Sequence, residues 1–277
     1  MNEVKVGIIG IGNMGSAHLR MITGGNIPDM TVTAVCDIDT EKLNAARNTY
    51  PALRVFEDYT DLLKNSDTNA VIIAVPHPLH AKIAIEAFEY GKHVLVEKPI
   101  DITVSAAEKL CAAARKSGKV FAVMFNQRTN GLFREARRIV NSGELGELKR
   151  SVWIITNWYR TQSYYDSGSW RATWRGEGGG VLLNQAPHNL DIWQWICGMP
   201  SAVTAFCNAG KFHNIEVEDE ATIYAEYKNG ATGVFITSTG DCPGTNRLEI
   251  TGTRGKTVLE NGILKLWKLN EDERDIC

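Results

Sequence analysis

Short apolar runs bounded by turn residues alternate with helical patterns through the first part of the chain. The runs at residues 4–9, 32–36, 71–75 and 93–96 predict strands, and helical stretches begin between them at Ser16, Glu41, Asp58 and Ala81. Repeated β-α-β units of this kind predict a parallel, doubly wound sheet. Thr103 caps an alanine-rich helix ending near Gly118, and residues 120–125 supply one more strand. A first domain is therefore expected over residues 1–122 and a second over 123–277.

After a helical pattern at 132–141 the texture changes to longer alternating segments at 148–158, 202–207, 221–227, 233–239 and 247–251. Asn229-Gly230 joins two of them as a hairpin signal, since both residues tolerate positive φ. The second domain is expected to be α+β with an antiparallel or mixed sheet. One helical pattern, residues 181–196, interrupts it behind Gly178, Gly179 and Gly180.

Length and composition narrow the classes of function. The 277 residues suit two domains of ordinary size. With 30 basic against 32 acidic residues spread along the chain, neither a nucleic-acid footprint nor an anionic membrane surface is indicated, and a small molecule is the expected partner. No apolar run approaches the roughly 20 residues of a membrane span, and no leader pattern precedes the first strand, so a soluble, cytoplasmic protein is expected. Cys36, Cys111, Cys197, Cys207, Cys242 and Cys277 form no C-x-x-C pair and read as reduced thiols, mostly buried.

Gly10-Ile11-Gly12-Asn13-Met14-Gly15 follows a strand and opens a helix, the context in which a G-x-G-x-x-G run signifies dinucleotide binding. Gly10 permits the tight turn, Gly12 clears the approach of a pyrophosphate, and Gly15 lets helix and strand pack closely. The helix N-terminus offers N–H groups to the phosphates. Asp37 ends the next strand, where a carboxylate can accept both hydroxyls of an adenosine ribose; with no arginine beside Asp37 and Asp39, NAD is favoured over NADP. A glycine turn in any α/β protein, or a flavin on the same loop, are the competing readings.

Ligands of open parallel sheets sit beyond the carboxyl ends of the strands, which points to Pro76, His77, Pro78 and His80 and to Glu97-Lys98-Pro99. A lysine leaving a buried strand is partly desolvated, which favours its neutral form and lets it share a proton with a substrate hydroxyl. The competing reading is a surface lysine. No carboxylate cluster completes a metal site around His77 and His80, which are expected to line the groove or cap the following helix. Asn184, His188 and Asp191 fall on one face of the 181–196 helix, with Pro187 predicting either a distorted turn or a later helix start. A histidine satisfied by Asp191 in a core is the alternative. Trp153, Trp158, Trp170, Trp174, Tyr159, Tyr164 and Tyr165 gather in one region; core or subunit-interface packing accounts for most of them, while Asn157, Trp158, Tyr159 and Arg160 are candidates to meet a substrate.

Gly10 to Gly15, Asp37, Glu97-Lys98-Pro99, and the glycines at 178–180 followed by His188 and Asp191 together resemble the glucose-fructose oxidoreductase/inositol dehydrogenase/MocA family over the whole chain. The resemblance implies an N-terminal Rossmann domain and a C-terminal α+β domain whose open, mainly antiparallel sheet meets a partner subunit in a homo-oligomer. It implies action on sugars, cyclitols or related polyols, with Lys98 and His188 as catalytic residues, joined by Asn184. Pro76, His77, His80, Glu97, Asn126 and Arg128 are implied to line the cofactor, with Trp170 and Arg171 contributed by the second domain. Two departures stand out. Many relatives carry Asp where this chain has Asn184, which cannot hold a negative charge, and most run on beyond a position equivalent to Cys277. Besides a dehydrogenase, the resemblance leaves open a glycosidase that uses NAD transiently and a silent NAD-binding protein.

Overall fold

The computed structural model describes residues 3–276. The chain divides into two compact units, Met1–Met124 and Phe125–Cys277. The first runs β1 (Val4–Ile9), α1 (Asn13–Thr23), β2 (Met30–Cys36), α2 (Thr40–Thr49), β3 (Arg54–Phe56), α3 (Tyr59–Asn65), β4 (Ala70–Ile73), α4 (His80–Glu89), β5 (His93–Val96), α5 (Val104–Ser117) and β6 (Phe121–Val123). Its six strands are all parallel, in the order β3-β2-β1-β4-β5-β6. This is the doubly wound order of dinucleotide-binding domains. Because strand side chains alternate, Ile9, Ile73 and Val96 enter a core with α3, α4 and α5, while Ile8, Val35 and Ile72 enter a second core with α1 and α2. Each such side chain, fully buried, contributes about 1.5–3 kcal/mol.

Local chemistry sets the helix starts. Asp39 accepts from the Glu41 and Lys42 N–H groups, Asp58 from Thr60 and Asp61, and Thr103 from Ala106. The α5 helix stops at Gly118, which takes the left-handed conformation with φ 66°. The strand at 71–75 is shorter than expected because Val75 has already left the sheet for the Pro76 turn, and β3, three residues long, carried no readable period.

The second unit contains α6 (Gly131–Asn141), β7 (Leu148–Ile155), α7 (Gln162–Asp166), α8 (Pro187–Cys197), β8 (Ala202–Ala209), β9 (Glu218–Glu226), β10 (Thr232–Ser238), β11 (Asn246–Gly252), β12 (Gly255–Glu260), β13 (Ile263–Lys268) and α9 (Glu273–Ile276). Its seven strands order as β13-β12-β11-β7-β10-β9-β8; only β7 and β10 run parallel. In register across the sheet, Ile223, Phe235, Trp153, Leu248 and Leu259 form one row. Phe133, Ala136 and Ile139 of α6 and Ile192, Trp193 and Ile196 of α8 share a core with that row. The alternate row on the other face, through Tyr224, Val234, Val152 and Glu249, stays half-buried to exposed.

Three expectations are corrected here. The strand from 148 ends at Ile155, so Asn157, Trp158 and Arg160 lie in the loop beyond it. The helix expected at 181–196 begins at Pro187, the N1 position, where a missing N–H costs nothing. The thiols are not mostly buried. Cys36 is buried, Cys111 and Cys197 are half-buried, and Cys207 and Cys242 are exposed; Cys277 lies outside the described residues. Burial pushes the Cys36 and Cys197 thiols up to about 12, which keeps both protonated and unreactive. Among the described residues no helix is long and apolar enough to cross a membrane.

Candidate active site

In the first unit the strand order reverses between β1 and β4, and the loops after these strands frame the place where such sheets bind ligands. Gly10 sits at φ 87°, and a Cβ there would lie 2.5 Å from the Ala74 carbonyl oxygen. A Cβ on Gly15 would come within 1.8 Å of the Gly10 oxygen. Gly12 is different, with an ordinary φ of −68° and no atom within 4 Å of its built Cβ. Packing explains glycine at 10 and 15 but not at 12, where the cleared space fits a pyrophosphate. Gly12 also caps α1 without a side chain, so the first-turn N–H groups around Asn13 and Met14 remain for phosphate oxygens.

Asp37, just past β2, accepts from the Ile11 N–H at 2.8 Å and the Asp39 N–H at 3.0 Å. It therefore braces the glycine loop, and each carboxylate oxygen keeps a lone-pair direction for a ribose hydroxyl. Asp39 is a helix cap. A cation does stand nearby: the Lys42 ammonium lies 3.2 Å from Asp39 and 3.9 Å from Asp37. It is a point charge rather than a planar fork, and it is already paired with acids.

One buried group ties the exits of β4 and β5 together, and a second ties the β5 exit to α1. The His80 ring nitrogens lie 2.7 Å from the Pro99 oxygen and 2.8 Å from the Val75 oxygen. Burial pushes its pKa down, against the pull of the two carbonyls, and a neutral ring donates to only one of them. His80 thus sits in the core as a brace between the two loops instead of lining a groove with its ring. Glu97, 6% exposed, pairs with His18 of α1 at 2.7 Å and accepts the Lys98 N–H at 3.3 Å. Lys98 itself is half-buried at the carboxyl end of β5, and His77 is buried in the turn after Pro76.

In the second unit Glu218, at the start of β9, pins the glycine turn. Its carboxylate accepts the Gly180 N–H at 2.9 Å and the Leu182 N–H at 3.0 Å. A Cβ on Gly180 would lie 1.9 Å from the Glu218 backbone oxygen, so this position has no room for a side chain. Asn184 occupies the turn that follows, off the helix, where its amide donates to the buried Glu177. His188 is the second residue of α8, with its ring edge-on to Phe125 at 5.9 Å. Asp191 is bound on both oxygens by Arg128, at 2.6 and 2.7 Å, so its carboxylate serves that arginine. Asn126 lies on the same single turn as Arg128, residues Asn126–Thr129.

The same unit carries an alternating stack of aromatic rings and guanidinium groups. Arg160 lies over Trp158 at 5.9 Å and over Tyr164 at 5.0 Å; Arg171 lies over Tyr164 at 4.6 Å and over Trp170 at 4.7 Å. The Trp158 indole donates to Asn189, the neighbour of His188. Asn157, Tyr159 and Trp174 are exposed, whereas Trp153 is wholly core and Tyr165 is buried.

The first unit thus presents first-turn N–H groups open to phosphate oxygens and a carboxylate with lone pairs for a ribose, the features of a nicotinamide-dinucleotide-binding domain. Comparison with known proteins carries this to a family. Residues 4–125 match the oxidoreductase family with an NAD-binding Rossmann fold, and residues 133–258 match the GFO/IDH/MocA C-terminal domain. The chain belongs to the GFO/IDH/MocA family, and its cofactor is NAD. It is 29% identical to the uncharacterized oxidoreductase YrbE of Bacillus subtilis, over 94% of this chain and 74% of that one. It is 34% identical to the inositol 2-dehydrogenase of Salmonella typhimurium, over 52% of this chain and 43% of the enzyme's length. The WlbA dehydrogenase of Bordetella pertussis, solved with NADH and UDP-GlcNAcA, superposes with a TM-score of 0.90 at 25% identity, covering 99% of this chain and 84% of that one.

His18, Lys42, Glu177 and Glu218 were missed by sequence reasoning. A carboxylate directly before three glycines was the one visible signal, at Glu177. His18 and Glu218 depend on contacts between elements far apart in sequence, whereas Lys42 lies one helical turn after Asp39.

Proposed function

We propose that the protein transfers hydride between NAD and a hydroxyl-bearing carbon of a sugar, cyclitol or related polyol. The observation that carries this is the turn at residues 178–188, which brings a fixed amide, Asn184, and an imidazole, His188, to the start of α8. Cofactor binding alone requires neither group. Inositol, named for the Salmonella relative, and the UDP-GlcNAcA of the solved WlbA dehydrogenase support a hydroxyl-rich ring as the substrate.

In the oxidising direction His188 takes the hydroxyl proton, and Lys98 donates a hydrogen bond to that oxygen as it becomes a carbonyl. Asn184 holds a neighbouring hydroxyl, with Asn157 and Trp158 as further substrate contacts. NAD, when bound, supplies the hydride acceptor. Pro76, His77, Asn126, Arg128, Trp170 and Arg171 are assigned to its surroundings; His80 and Glu97 act by holding the loops. NADH absorbance measured across a panel of sugars and cyclitols is expected to rise with at least one of them. His188→Ala is expected to lower kcat on that substrate by about 10²–10⁴-fold. Tight NAD binding with no turnover, or glycoside cleavage without net NADH, would replace this reading.

We also infer that a second copy of the chain covers the open face of the second sheet. Phe206, 70% exposed, and Tyr224, 42% exposed, stand on that face beside the half-buried Val234, Ile236, Val152 and Ile154. Light scattering is expected to show an oligomer, reduced to monomer by Phe206→Glu; a monomeric native protein refutes it.

A further inference from the structure

Glu177 is a carboxylate only 1% exposed, held in a turn by its own N–H, which donates to the Thr173 oxygen at 2.9 Å. Burying such a group is costly unless hydrogen bonds meet its charge. Here both oxygens accept. Oε2 takes the Ala172 N–H at 2.7 Å, and Oε1 takes the Asn184 side-chain amide. Ala172 has φ 51°, a left-handed conformation uncommon for alanine, so the bond also clips the strained residue that follows Trp170 and Arg171.

We propose that Glu177 is a positioning residue for the reaction: it orients the Asn184 amide and supplies the negative charge that neutral Asn184 lacks. The inference rests on the reading that Asn184 and His188 serve the substrate. An ionised carboxylate only accepts hydrogen bonds, so the end of the Asn184 amide at Glu177 must be its nitrogen. The carbonyl oxygen Oδ1 then lies on the other branch of the amide. A substrate hydroxyl meeting that branch finds an acceptor and must donate its proton to it. Hydroxyl donors are thereby favoured beside the reacting carbon over groups that only accept. Because Glu177 is almost fully shielded from water, its charge acts on neighbouring polar groups with little screening.

A four-protein cycle tests this, using the native chain, Glu177→Gln, Asn184→Asp and the double variant. Glu177→Gln leaves two amides, one of which must turn to pair, and is expected to lower kcat by about tenfold with NADH affinity unchanged. Asn184→Asp sets two carboxylates in contact, so one must hold a proton, and its kcat is expected to fall as pH rises where the native profile is flat. The double variant exchanges acid and amide. Its hydrogen bond survives with donor and acceptor reversed, and an acceptor still faces the hydroxyl, so it is expected to regain most of the lost kcat and thermal stability. Strictly additive losses in both kcat and Tm would overturn the proposal. A Tm recovery without kcat recovery would also overturn it, leaving Glu177 as scaffold alone. Should the native chain turn over nothing on the panel, the functional reading itself falls, an outcome separate from additive losses in an active enzyme.

Discussion

Replacing Lys98 by alanine is expected to cut kcat by about a thousandfold while NADH affinity stays within about threefold and Tm barely moves. The reasoning begins with the backbone around it. On one side Glu97 is buried and tied to His18 at 2.7 Å; on the other, the Pro99 oxygen is held by the His80 ring at 2.7 Å. The loop is therefore fixed by its neighbours, and losing the Lys98 side chain removes an ammonium without releasing the turn. On the proposed reading, what is lost is a donor to the substrate oxygen on which charge develops, and removing one such donor typically costs 10²–10³-fold, about 2.7–4 kcal/mol. Shared proton movement can add to that. Lys98→Arg is not expected to restore turnover, because a guanidinium does not give up its proton and needs more room. Single-turnover rates with NADH binding followed by fluorescence separate the two effects. Turnover within a few fold of native would remove Lys98 from the chemistry.

Much of the first unit was legible from residue pattern because its strands are buried on both faces and appear as unbroken apolar runs between helices with acidic or threonine caps. The second unit was harder. β12 and β13 lie at the sheet edge, where Lys256, Lys265 and Lys268 share strands with Val258 and Leu266, and mixed exposure blurs a period of two. The start of α8 was misplaced because Val181, Leu182 and Leu183 continue the apolar spacing of the helix behind them. Pro187, which allowed either a distorted turn or a later helix start, is its first residue. That difference moves Asn184 off the helix, into a turn held by Glu218 and Glu177. The candidates Lys98, Asn184 and His188 were legible as residue types, the first at the end of a predicted strand and the other two on a predicted helix. The groups that hold them, His18 against Glu97, His80 against two carbonyls, and Glu177 against Asn184, were not. Each joins residues that do not share a helix or strand, so no pattern of period 3.6 or 2 reveals the contact.

The same distinction between packing and ligand sets the expected behaviour of two glycines three residues apart. Gly12→Ala adds a methyl group where φ is −68° and no protein atom lies within 4 Å, so unfolding free energy should fall by no more than the roughly 1 kcal/mol that alanine costs at a helix cap. If a pyrophosphate fills that space, NAD affinity should nonetheless fall by on the order of tenfold to a hundredfold, ~1.4–2.7 kcal/mol. Gly15→Ala places its methyl carbon 1.8 Å from the Gly10 oxygen, a backbone atom that can yield only by shifting the whole loop or α1. Overpacking of that kind costs about 1–3 kcal/mol, and the loop displaced is the one that binds phosphate, so stability and affinity should fall together. Urea unfolding without cofactor and calorimetric titration with NAD measure the two quantities independently. Gly12→Ala binding NAD as tightly as the native chain would mean that the phosphates do not approach the loop at this glycine. A loss of stability at Gly12 well beyond that of a helix cap would mean instead that the protein's own packing requires glycine there. The informative result is a variant that folds like the native protein and has lost its cofactor, because no property of the empty fold accounts for that.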